Sequence, residues 1–114
     1  MEMKDSKKHI ELYDKLNEVL QEKVNLHEKI ILEIGCGPSK KVENSITVDL
    51  IDYPDVDICG DVLEVLKLIP NTTIDEVYSS HFIEYISDIQ TLMDELARIL
   101  KKNGVVDFIA PHFS

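Results

Sequence analysis

Apolar positions in this chain follow two rhythms that alternate along its length. Between residues 5 and 22, Ile10, Tyr13, Leu16 and Leu20 recur at steps of three and four, and Leu12 and Val19 widen the stripe. This spacing predicts an amphipathic helix, with Glu11 and Lys15 four apart on its wet face. Asn25 and His27 interrupt the pattern. Ile30, Ile31, Leu32 and Ile34 then form a short run with no solvent face, which reads as a buried parallel strand. It stops at Gly35-Cys36-Gly37-Pro38, where the chain must turn sharply. His9 belongs to the helix and His27 to a surface loop, and neither pattern gives them a role.

The rhythm continues downstream. Residues 45 to 50, 56 to 59, 74 to 79 and 105 to 110 read as further strands. Val62, Leu63, Val65, Leu66 and Ile69 suggest a helix ended by Pro70. Ser87-Asp88-Ile89-Gln90 matches a capping box with Ser87 as the cap. Ile89, Leu92, Met93, Leu96, Ile99 and Leu100 supply an apolar face behind it, and Asn103-Gly104 reads as the helix terminator. Repeated strand-then-helix order means a parallel sheet with right-handed crossovers. One link is short: residues 38 to 45 leave room for little more than a helical turn.

Two features of the first strand point to chemistry. A central strand ending in a glycine turn is where open α/β sheets bind nucleotides, because glycine lets a ligand approach the backbone closely. Glu33 places a carboxylate inside an apolar run, which demands a partner such as a ligand cation or backbone donors. Taken alone, this stretch also fits a hairpin strand with a Gly-Pro turn.

The totals narrow the choices. A length of 114 residues and 44% hydrophobic content predict one folded domain, 1-114, with an N-terminal helix over 1-24 and a core over 29-114. The net charge of -10 makes nucleic acid an unlikely partner, since phosphate backbones need Lys/Arg surfaces. Lys40-Lys41 and Lys101-Lys102 are isolated pairs rather than a binding stripe. No apolar stretch approaches a membrane span, and the polar N-terminus has no signal-peptide core. Cys36 and Cys59 show no metal spacing, so no metal is expected and a cytoplasmic, reducing compartment is. Cys36 reads as a small turn residue and Cys59 as a core strand residue.

Taken together, these residues resemble the class I S-adenosylmethionine-dependent methyltransferases, in particular the large group with the Glu-x-Gly-x-Gly signature. Glu33-Ile34-Gly35-Cys36-Gly37 matches that signature, Asp49 the acidic end of the second strand, and Asp61-Val62 the acidic-plus-apolar pair after the third. Residues 78 to 85 look like the fourth-strand segment, and residues 100 to 105 like the turn into the fifth, with Asn-Gly where the family favours Pro-Gly. The resemblance implies a three-layer α/β sandwich with a Rossmann-like parallel sheet in the order 3-2-1-4-5. It also implies S-adenosyl-L-methionine as cofactor, held by Glu33, Gly35, Cys36, Gly37, Asp49, Leu50, Asp61, Val62 and Ser79. Asp49 would accept from the ribose hydroxyls, and Asp61 from the adenine amino group, with Leu50 and Val62 flanking the ring. Aspartates also commonly end strands at turns. A dinucleotide is disfavoured because Lys40 replaces the third glycine and the following helix is nearly absent.

The expected activity is methyl transfer to a small-molecule acceptor; a non-catalytic cofactor-binding or partner subunit is the alternative. A general base is needed only if the acceptor must lose a proton, and the candidates are His81 and His112. Tyr53, Tyr78 and Tyr85 read as packing or cofactor-contact residues. Family members normally continue through strands 6 and 7, which this sequence lacks. Residues 105 to 110 are therefore expected to form a free edge through which the chain self-associates or meets a partner.

Overall fold

The computed structural model of the chain describes residues 2–80 and 87–109. The elements run α1 (Glu2–Asn25), β1 (Ile31–Ile34), β2 (Ile46–Asp49), β3 (Ile58–Cys59), α2 (Val62–Leu68), β4 (Ile74–Ser80), α3 (Ile89–Ile99) and β5 (Leu100–Ile109). The five strands form one sheet in the order β3-β2-β1-β4-β5, every pairing parallel, as expected. β1 is central because it has no wet face: Leu32, Glu33 and Ile34 are all buried. The core clusters around it, with Leu16 and Leu20 from α1, Val65 and Leu66 from α2, and Leu92, Leu96 and Ile99 from α3.

Local physics moved several boundaries. α1 packs through Leu16 and Leu20, with Leu12 and Val19 beside them, while Ile10 and Tyr13 stay exposed. Among the described side chains of the helix, those that reach the core lie from Leu12 onward. Asp88, not Ser87, caps α3: its carboxylate accepts from the Thr91 amide at 3.1 Å and the Thr91 hydroxyl at 2.7 Å. The capping box is not used, and Gln90 donates to Asp94 instead. Asn103-Gly104 does not end the helix either. α3 stops at Ile99, Leu100 turns extended, and Asn103 and Gly104 lie in β5 beside a register shift against Ile74 and Glu76.

The short β1–β2 connection contains no helix; residues 35–45 cross between parallel neighbours as turns. β5 is the sheet edge, with Val105 and Val106 exposed and Phe108 packed against the core. Ala110, the last residue of the expected strand, lies outside the described residues.

Candidate functional site

The site is built at the C-terminal ends of three adjacent strands. β1 lies between β2 and β4, in register so that Ile34 sits beside Val48 on one side and Ser79 on the other. Glycines at 35 and 37 follow at once, with φ of +69° and +68°. These left-handed conformations explain why glycine stands at both positions. The Gly35 amide donates to the Val48 carbonyl at 2.8 Å, pinning the turn to β2. Around Gly37 a Cβ would meet nothing within 4 Å, so the turn faces open space.

Asp49 closes the turn from the β2 side. One carboxylate oxygen accepts from the Gly37 amide at 2.9 Å and the other from the Ile51 amide at 3.0 Å. A carboxylate has about four lone-pair sites, so further donors can still be taken. The Asp49 carbonyl accepts from the Gly60 amide at 2.9 Å, tying the β3–α2 turn to the same point.

Glu33 finds its partners within the chain. It is 1% exposed and accepts from the Lys41 amide at 2.8 Å, the Val42 amide at 3.0 Å and the Ser45 hydroxyl at 3.0 Å. Of the two partner types expected, backbone donors are the ones present. Glu33 therefore shapes the loop that follows the glycine turn.

Cys36 is buried, and its thiol is pushed up to about 11. Burial is the main cause, and the negative charges of Asp49, Glu33 and Asp55 add to it. The thiol is thus protonated and unreactive at neutral pH. The same negative field disfavours an anionic ligand at the turn and favours a cationic one.

On the far side of Asp49 lies a cavity of about 720 Å³, lined in part by Leu50, Cys59, Gly60 and Asp61. Leu50 is 69% exposed, a large apolar side chain presented to that space. Asp61 caps α2 through one oxygen, which accepts from the Glu64 amide at 3.2 Å. Its other oxygen has no hydrogen-bond partner among the described residues. Val62 is different: at 4% exposure it belongs to the core cluster and is not among the residues that line the cavity. Cys59 is exposed rather than in the core, because β3 is an edge strand only two residues long.

Ser79, at the end of β4, is 2% exposed, and its hydroxyl has no partner among the described residues. A buried hydroxyl without a partner is costly. His81, Tyr85 and His112 lie outside the described residues. Sequence reasoning missed the N-terminal half of α1. His9, Leu12 and Lys15 line the same cavity, although the helical pattern gave His9 no role and set Lys15 on the wet face.

These features agree with what the chain is similar to. A methyltransferase domain family matches residues 32–108. A SAM-dependent methyltransferase from Archaeoglobus fulgidus superimposes with a TM-score of 0.62 at 22% identity, over 79% of this chain and 51% of that one. A Methanococcus maripaludis protein assigned as an S-adenosyl-L-methionine-dependent methyltransferase gives 0.51 at 18% identity, over 85% and 57%. This chain thus spans a little over half the length of both. No curated protein sequence matches it. The matched stretch begins inside β1 and runs to Phe108, taking in the glycine turn, Asp49, Asp61 and Ser79: the chain belongs to the methyltransferase domain family.

Proposed function

We propose that this domain binds S-adenosyl-L-methionine across the C-terminal ends of β1, β2 and β4, and forms the cofactor-holding part of an enzyme that methylates a small molecule. One observation carries the reading. Three neighbouring strands deliver two left-handed glycines, a carboxylate and a buried hydroxyl without a partner among the described residues to one end of the sheet. This is the switch point at which open α/β sheets bind ligands.

The residues fit the cofactor in kind. Gly35 and Gly37 admit close approach to the backbone, and Asp49 retains acceptor capacity for a pair of hydroxyls. The free oxygen of Asp61 suits an amino group, and exposed Leu50 suits a ring face. The negative surroundings of the turn suit a sulfonium. When bound, the cofactor supplies a methyl group that is already activated, so the protein's work is alignment and exclusion of water. Glu33 contributes at one remove by holding residues 41, 42 and 45 in place beside the turn.

Calorimetric titration with S-adenosylhomocysteine tests the proposal without needing the acceptor. Binding is expected for the natural chain and should be lost in Gly35→Val, whose branched side chain cannot hold φ of +69° without strain. Normal binding by that variant would reduce the glycine to a turn residue. Uptake without turnover for any acceptor would favour the non-catalytic subunit.

A further inference from the structure

We infer that the face of α1 carrying Lys8, Leu12 and Lys15 is the outer wall of the adenosine end of the site, an inference that rests on the cofactor reading above. α1 lies wholly outside residues 32–108, the stretch shared with the family, yet it lines the cavity that Leu50 and Asp61 line from the other side.

The helix touches the β3–α2 turn at Gly60. A Cβ at that position would sit 3.4 Å from both terminal methyls of Leu12, so the helix rests on the β3–α2 turn at contact distance. Through the Gly60 amide that turn is bonded to Asp49, and the next residue is Asp61. Leu12, Asp49 and Asp61 therefore belong to one connected unit.

The wall is held from behind. Leu16 and Leu20, one and two turns further along, are buried at 0% and 6% exposure, so the helix axis is fixed by the core. Lys8, His9 and Glu11 are exposed and line the cavity. Leu12 and Leu50 give it apolar surface from opposite elements. The stems of Lys8 and Lys15 extend that surface while their ammonium groups stay wet. Neither lysine has an acidic partner within 4.0 Å among the described residues. A ligand part with apolar ring faces and a hydrogen-bonding edge matches such a lining, and the adenosine moiety is of that kind.

Hydrogen exchange on the full chain, with and without S-adenosylhomocysteine, tests this beside calorimetry. Ligand should slow exchange of amides in residues 8–15. Leu12→Ala should raise the dissociation constant about fivefold by removing apolar area the ligand covers, and Leu12→Met should restore it. If the protein binds ligand, either unchanged exchange in α1 or an unchanged affinity in Leu12→Ala overturns the inference and leaves the cofactor reading intact. No binding at all by the natural chain overturns both.

Discussion

Replacing Glu33 tests the assembly of the site most directly, because its carboxylate is the acceptor on which the β1–β2 loop is hung. Glu33→Ala strands three donors at once: the amides of Lys41 and Val42 and the hydroxyl of Ser45. A buried donor left without a partner costs about 1–3 kcal/mol. The two amides are only part-buried and can regain water in a relaxed loop, whereas Ser45 is 3% exposed. The sum should therefore fall below three full penalties, at about 3–5 kcal/mol. Against a typical domain stability of about 5–15 kcal/mol, that is a large fraction.

Glu33→Gln separates charge from geometry. One oxygen takes both the Val42 amide and the Ser45 hydroxyl, and the other takes the Lys41 amide. A glutamine can keep the first pair but turns a donor toward Lys41, so a loss of about 1–3 kcal/mol is expected. Urea denaturation of the three proteins at neutral pH gives the comparison. An alanine variant within about 1 kcal/mol of the natural chain would refute the reasoning, being no more than one ordinary hydrogen bond. Because all its bonds are internal, folded Glu33→Gln should change affinity for S-adenosylhomocysteine by less than about tenfold. A hundredfold loss would mean that Glu33 touches the ligand.

Asp49→Ala should weaken S-adenosylhomocysteine binding by about 10- to 150-fold, the range for a hydrogen bond to a charged group. An unchanged affinity in a folded variant removes the assignment. Iodoacetamide at pH 8 should label exposed Cys59 well before Cys36, whose thiol is pushed up to about 11, and ligand should slow labelling of Cys59 because that residue lines the cavity. Equal Cys59 rates with and without bound ligand would place the ligand elsewhere. Burial acts to raise the Asp75 carboxyl, but the Ile30 amide and Lys101 outweigh it and hold the group below the usual range. A lowered folded value gives stability that is present above about pH 4 and lost as pH falls through that value. Asp75→Asn should thus be less stable at pH 7 and have a flatter acid limb, and an unaltered limb in chemical denaturation would count against it. Association through β5 remains a proposal: sedimentation should show concentration-dependent dimers of the natural chain that Val106→Lys disrupts, and a monomer throughout would dispose of it.

Much of this was legible because it is written in local rules. Ile30 to Ile34 has no residue that tolerates water on either face except Glu33, so a central strand follows. Gly35 and Gly37 announce a backbone that other residues resist, and the structure gives both a left-handed φ. The capping of α3 was misread because Ser87 and Asp88 are both competent caps. The choice turned on Thr91, whose amide and hydroxyl Asp88 can engage together. Asn103-Gly104 was misread because a glycine that ends a helix and one that sits in an irregular strand look alike until the pairing partner is known.

What the sequence hid is whatever depends on two distant segments meeting. Glu33 declared that it needed partners, but only folding shows that residues 41, 42 and 45 supply them. Val62 fits an adenine wall in its motif, and in three dimensions it packs into the core. Leu12 is the sharper case. Its helical spacing marks it as a packing residue, and it does pack against the core. Its other contact, the bare backbone at Gly60, depends on a glycine forty-eight residues away. That contact becomes visible only with the helix in place.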